Sequence, residues 1–508
     1  MGTGTVHGAD ADAKPRSVVL AVDLGTTATK VLAVDREGVV RAGVERGYPL
    51  AGGLRDVAVH DPEQVMLAAI TALRDCVSQC MDERLEIAAL SFSAAMHTVL
   101  ALDARFAPLT PALSWADGRA AETARRLRAE DDGRLHRELH AATGTPVHPM
   151  SPMVKIAWFR EHQPELHRSA VWWCGLKDYI LRRFTGQLVM DISCASATGL
   201  LDIHKLGWYA PALAVAGIDE TRLPELVEPT VPLLLSAHVA ASIGVRAGLP
   251  VIAGAGDGPL ANLGVGAVTP GVAALSLGTS GALRVARRGP AVDEGSRAFC
   301  YALADDLWVV GGAISNGGLV AQWAADTFGD GDVAALLARA AALPPMSDGP
   351  VALPYLLPER APYWDPDPRG ALLGLRREHG PEQITRAFVD GVAQQFAMVR
   401  DSVLATGATI DRVVATGGAL RAPLWADVLA SALDLPLYLP RTTAGSAMGA
   451  ALLGWRALGV LYSLTSIEEE LRQTVQRPVY PNPEIKQRLA RSRGVNEFAY
   501  WVMSQYPG

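Results

Sequence analysis

Two stretches roughly 250 residues apart share one shape, and a period of that length is too long for a solenoid and right for two related lobes facing each other. VVLAVDLGTTATKVLAV, from Val18, runs as β-rich segment, Gly-Thr turn, β-rich segment, and VAALSLGTSGALRVA, from Val272, repeats it. Around the first copy, SVVLAVDLG, ATKVLAVD and VVRAGVERGY read as a three-stranded antiparallel meander. PEQVMLAAITALRDCVSQCMD then reads as a helix, with Asp61 as N-cap, Pro62 at the first helical position and apolar residues at helical spacing. IAALSFSA and TVLALDA return to strand. Three strands, a helix and a strand is the order of a ribonuclease-H-like core, though the order alone fits several α/β folds. The expected fold is therefore α/β: two ribonuclease-H-like lobes with a cleft between them. The lobes are expected over residues 17–253 and 254–460, after a loose tail (1–16) and before a charged helical appendage (461–508) that contains IEEELRQ and EIKQRLARS.

A chain of 508 residues, 49% of them hydrophobic, suits two domains better than one core. Its 46 Lys+Arg against 53 Asp+Glu leave a net charge of -7 with no basic stretch, which excludes nucleic acid as a natural partner. The opening MGTGTVHGADADAKPR holds no apolar run of signal-peptide length, and Val6 breaks a myristoylation signal. Every long apolar stretch is interrupted by Gly, Pro or Asp, so no membrane-spanning helix is expected. The five cysteines (Cys76, Cys80, Cys174, Cys194, Cys300) are odd in number and form no Cys-x-x-Cys pair. Neither a disulfide framework nor a thiolate zinc site is indicated, and a reducing cytoplasm fits.

The Gly25-Thr26-Thr27 turn presents backbone N–H groups and hydroxyls without bulk, which suits phosphate oxygens as well as it suits an ordinary hairpin. Asp23 beside it would repel phosphates unless a divalent cation lay between, which implies Mg²⁺, and Lys30 can supply positive charge. The matching turn at Gly278-Thr279 favours the phosphate reading. No G-x-x-x-x-G-K-[ST] occurs, and in AGAGDGPLANLG Pro259 stands where a dinucleotide fingerprint needs its last glycine. What remains there is Asp257, either a general base toward a substrate hydroxyl or the N-cap of a helix from Pro259. Gly417-Gly418, between a strand and a helix from about Pro423, would let a planar base lie on the backbone or serve as a plain helix-entry turn. Met96-His97 falls at a turn, and Trp115, Asp117 and Arg119 lie within five residues, combining the flat apolar face and paired hydrogen-bonding groups that a polyol site needs.

DLGTTATK, SAAMH, WADGR, GAGDG, SLGTSG and ATGGALR occur in the order found in FGGY carbohydrate kinases, and the chain resembles that family from about Val18 to Gly454. The resemblance implies an actin-like ATPase fold, MgATP between the lobes, and transfer of the γ-phosphate to a sugar hydroxyl. By the same resemblance Asp257 is the catalytic base, Asp23 and Asp257 sit with Mg²⁺, and Gly25, Thr26, Thr27 and Lys30 sit with the phosphates. Gly278 and Thr279 line the phosphate path, while Gly318, Gln322, Gly417 and Gly418 flank the nucleotide; Ala422 stands where some relatives place an Asn near the adenine. MHTVLALD, TGTPVHPMSPMVKIAWF and DISCASATGLLDI resemble the gluconokinases more than the xylulose enzymes, where an Asn is expected in place of Ala116. A sugar acid carries a carboxylate, and the acceptor region offers His97, Arg119, His148 and Lys155 beside Met96, Trp115 and Asp117. The expected partner is thus a small sugar acid, with D-gluconate first and a pentulose or polyol second. An actin-like ATPase without a sugar acceptor is the rival from another class, and a homodimer is compatible with the sequence.

Overall fold

A computed structural model describes residues 16–52, 57–440, 445–466 and 478–505. The tail before Arg16 and IEEELRQ lie outside the described residues.

The meander forms as its turns dictate. Ser17–Leu24 pairs antiparallel with Ala28–Asp35, which pairs antiparallel with Val40–Gly47. Helix Pro62–Asp82 follows, with the Asp61 side chain accepting from the Glu63 amide. The chain then returns as Glu86–Ala94, parallel to Ser17–Leu24. Two further strands, Pro250–Gly256 and Pro232–Leu234, complete a six-stranded sheet. Pro250–Gly256, which crosses the boundary placed near Ala253, pairs with Glu86–Ala94 as far as Gly256.

The second sheet repeats the order. Gly271–Leu277 pairs antiparallel with Gly281–Arg288 and parallel with Ile410–Thr416, flanked by Leu307–Ile314 and Phe299–Ala302 on one side and Leu437–Tyr438 on the other. The central strands of both sheets are buried nearly end to end, as strands covered on both faces must be.

Two helices exchange sheets. Asp257–Gly264 leaves the first sheet and buries Leu260 and Leu263 in the core around the second. Gly445–Ala457 leaves the second sheet and lays Trp455 against Val19, Ala89 and Ile252 of the first. The two helices cross without side chains between them. A Cβ on Gly264 would stand 1.9 Å from the Gly445 carbonyl oxygen, and one on Gly449 2.0 Å from that of Leu260.

Residues between the first sheet's strands build a satellite core under Pro152–His162, around Val99, Leu113, Val154 and Trp173. The C-terminal helix Pro483–Ser504, capped by Asn482, docks on Pro381–Leu404: Gln394 donates to the Leu489 carbonyl at 2.5 Å, and Arg488 forks onto Asp390 at 3.0 and 2.8 Å. All five cysteines are free thiols, and no helix among the described residues is long and apolar enough to cross a membrane.

Replacing Gly449 by Ala forces the crossing apart and should lower stability by about 1–3 kcal/mol, as overpacking does. Gly494→Ala, on the C-terminal helix where a Cβ meets nothing, should raise it by about 0.5–1 kcal/mol. Chemical denaturation reads both, and a Gly449→Ala protein as stable as the parent would contradict the close crossing.

Candidate active site in the cleft

Asp23 ends the first strand at the mouth of the opening hairpin. Its Oδ2 accepts from Ser446 Oγ at 2.7 Å, while Oδ1 is buried with no hydrogen-bond partner among the described residues. Burial raises its pKa against the pull of the Ser93 and Ser446 hydroxyls. The turn beyond is held by the Gly25 amide donating to the Ala28 carbonyl at 3.0 Å, and Thr26 Oγ1 accepts from Trp115 Nε1 at 3.0 Å. Thr27 is exposed. Lys30 lies opposite Asp23 in the hairpin register, 43% exposed and 3.7 Å from Glu45.

The second turn makes the facing rim. Gly318 N–H donates to the Gly278 carbonyl at 2.8 Å and Gly317 N–H to that of Thr279 at 3.1 Å. Gly417, at φ 118°, lies so close to Leu277 that a Cβ would stand 2.1 Å from its carbonyl oxygen, whereas Gly418 opens onto free space. Gly278, Thr279, Gly318, Gly417 and Gly418 are thus brought together beyond the C-terminal ends of the central strands Gly271–Leu277 and Ile410–Thr416. Gln322, one turn into the helix Leu319–Phe328, is exposed and donates to Asp326 at 2.9 Å.

Asp257 lies where the lobes meet. Its helix begins at Asp257 itself, with Gly256 as N-cap, rather than at Pro259, so the carboxylate stands in the first turn. A Cβ on Gly256 would collide with Met96, whose thioether occupies that space 2.7 Å away. Burial and then the charge of Asp23 push Asp257 up to about 6, against the counter-charge of Arg284 and the amides of Gly258 and Met96.

On the acceptor side, His97 is held at φ 64° with Nδ1–H donating to the Ala197 carbonyl at 2.8 Å, which leaves Nε2 facing Tyr301 Oη at 3.5 Å. Ala197 ends the turn after Ile192–Ser196, whose cap Asp191 pairs at 2.5 Å with buried Lys177. Burial drives His97 down to about 3 and His148 well below its usual value, so both rings are neutral. His148 Nδ1 accepts from the Met150 amide, and its Nε2 is buried without a partner.

The charged residues read as acceptor ligands are engaged with the protein. Asp117 forks onto Arg119 at 2.7 and 2.8 Å and also accepts from the Ala58 amide. Lys155 donates to the carbonyls of Ser114 at 2.6 Å and His97 at 3.0 Å. These three brace the loops that present Trp115 and His97. The cations that do face the cleft are Arg284 and Arg360, with the neutral phenol of Tyr301 beside them, all on the second lobe, and sequence reasoning missed them. Arg360 covers the Trp115 ring at 4.6 Å, with Nη2 donating to the Ile314 carbonyl at 2.7 Å and Nε to Ser315 Oγ at 3.2 Å. The only signal for it was a charged Glu-Arg pair inside the apolar LLPERAPYW.

This cleft belongs to a recognisable kind of protein. Residues 18–264 match the N-terminal domain, and residues 273–458 the C-terminal domain, of the FGGY family of carbohydrate kinases. The chain is a member of that family. A gluconokinase of Bacillus subtilis (strain 168) is 36% identical to this kinase over 472 residues, covering 90% of this chain and 91% of its own. A xylulose kinase of Escherichia coli (strain K12) is 31% identical over 462 residues, covering 89% and 92%. The solved structure of a gluconate kinase from Lactobacillus acidophilus matches with a TM-score of 0.89 at 29% identity, over 97% of this chain and 99% of that one. The fold is thus the actin-like ATPase fold of FGGY kinases.

FGGY kinases use ATP, generally with Mg²⁺. The residues of this kinase fit the ion: Asp23 sits close enough to Asp257 to disfavour its charge, and Asp23 Oδ1 lacks a hydrogen-bond partner among the described residues. Among the described residues no cluster of three or more metal-binding side chains forms.

A base must be ionised to act, so turnover should fall as pH drops through about 6 or lower, a bound cation beside Asp257 only lowering that midpoint. The pH profile of kcat at saturating MgATP checks this, and an acid limb centred above 7 would remove Asp257 from the role.

Proposed function

We propose that this kinase transfers the γ-phosphate of ATP to a sugar acid, converting D-gluconate to 6-phosphogluconate. The observation that carries phosphoryl transfer is Asp257: a buried carboxylate with a pKa raised to about 6, in the first turn of an inter-lobe helix, with Asp23 near it. In this reading acceptor binds elements of the first lobe, against Met96, His97, Trp115 and His148, and nucleotide binds the second along Gly278, Thr279, Gly318, Gln322, Gly417 and Gly418. Asp257 receives the hydroxyl proton as transfer proceeds. Gly25, Thr26 and Thr27 offer amides and hydroxyls to the phosphate oxygens, with Lys30 adding positive charge nearby. Asp23 and Asp257 would hold Mg²⁺, which when bound would supply neutralisation of the phosphate charge. Asp117, Arg119 and Lys155 act by holding the acceptor loops in shape. Lobe closure excludes water and limits hydrolysis without an acceptor.

Gluconate is supported by the likeness to the Bacillus subtilis gluconokinase over nine-tenths of both chains. Xylulose is the second reading, favoured by the Escherichia coli relative.

Asp257→Asn should cut kcat by about a hundredfold or more with little change in ATP affinity, and near-normal turnover would remove Asp257 from the mechanism. ADP release with MgATP and gluconate, xylulose, ribulose, glycerol or no acceptor tests the substrate. A response confined to gluconate supports the reading, a response to another sugar replaces the substrate, and release indifferent to acceptor replaces the kinase by an ATPase.

A further inference from the structure

One cation of the cleft, Arg284, has the charge of Asp257 near it but no hydrogen bond or ion pair to its side chain among the described residues. Arg284 stands on the strand Gly281–Arg288, five residues after the Thr279 turn, and its guanidinium lies over Gly258, where a Cβ would sit 3.4 Å from Nε and 3.7 Å from Nη2. Gly258 follows Asp257, so a second-lobe cation occupies room that a first-lobe glycine leaves open. Among the described residues no hydrogen bond or ion pair reaches its side chain, although burial disfavours its charge. An arginine fork taken from water without a partner is costly and is stabilised by a planar anion that accepts two parallel hydrogen bonds.

The other charged groups of the site are accounted for. Arg360 has two nitrogens on Ser315 and Ile314 and its plane on Trp115. Arg119 is forked onto Asp117, Lys155 is on two carbonyls, and His97 and His148 are neutral. Glu359, beside Arg360, accepts from the amides of Ser315 and Asn316 and from Asn316 Nδ2. Asp257 is near Arg284 but outside ion-pair distance, which leaves its oxygens for the acceptor hydroxyl. Arg284 and Arg360 therefore set two positive charges around Tyr301, with the carboxylates of Glu359 and Asp257 near them but neither in an ion pair with Arg284 among the described residues. A neutral ketose or polyol leaves the Arg284 fork without an anion to accept from it.

We propose that Arg284 is the specificity-determining residue of this kinase, binding the carboxylate of the sugar acid from the second lobe while the first lobe binds the hydroxyls. This rests on the gluconate reading above. The acceptor is then held from both sides of the cleft, and the anionic end is what joins it to the nucleotide lobe.

The test compares gluconate with D-gluconamide, which keeps every hydroxyl and loses only the charge, in the wild type, Arg284→Gln and Arg284→Lys. The wild type should favour gluconate by about a hundredfold or more in kcat/KM. Arg284→Gln should lose most of that factor on gluconate through KM, with gluconamide falling only severalfold, so that the preference collapses; Arg284→Lys, a point charge without the fork, should recover part of it. If Arg284→Gln does not fold, Arg284→Lys carries the test alone, by a rise in KM of about tenfold for gluconate with little change for gluconamide. A preference unchanged in the variants, or equal losses on both acceptors, overturns the proposal while gluconate stands. A wild type that ignores gluconate and phosphorylates xylulose overturns the substrate reading and the proposal with it.

Discussion

The cleft depends on two helices that exchange lobes and cross at backbone contact. With glycine at 264 and 449, Asp257–Gly264 and Gly445–Ala457 approach more closely than any side chain permits. Both begin at the site. Asp257 stands in the first turn of one, and Ser446 in the first turn of the other donates to Asp23. The crossing therefore sets the spacing of the two carboxylates.

Burial does the rest of the electrostatic tuning. It neutralises His97 and His148, which makes them hydrogen-bonding groups of fixed tautomer rather than charges. It lifts Asp257 toward the range in which a carboxylate can take a proton near neutral pH. Where charge persists on the first lobe it is tied into scaffolding: Arg119 on Asp117, Lys155 on the carbonyls of Ser114 and His97. Trp115 joins the two lobes, with its indole N–H on Thr26 of the first turn and its face under Arg360.

Much of this was legible in the sequence, because it is local or repeated. The paired strand–turn–strand segments foretold two sheets of one topology, and Asp61-Pro62 marked a helix start correctly. Asp23 and Asp257 stood out as carboxylates on small-residue turns. Long-range contacts were not legible. Arg284 looks like any outward residue of an alternating strand, and only the absence of a side chain at Gly258, 26 positions earlier, gives it a place in the cleft. Conversely, Asp117, Arg119 and Lys155 have the chemistry of ligands, and only their distances show that they bind one another or the backbone. The helix from Gly445 reads as part of the second half, yet its apolar face belongs to the first sheet because Trp455 reaches Val19 and donates to the carbonyls of Val34 and Asp35.

That exchange makes the kinase indivisible. A fragment ending after the first sheet would lack the helix that covers Val19, Ala89 and Ile252, and a fragment starting there would lack a partner for Trp455. Neither half carries its own complete core, so genetic dissection of the lobes should yield sticky, insoluble pieces, while a backbone nick in an exposed loop between them should leave a complex that stays together. Sequence repetition here marks a common shape and not two separable modules.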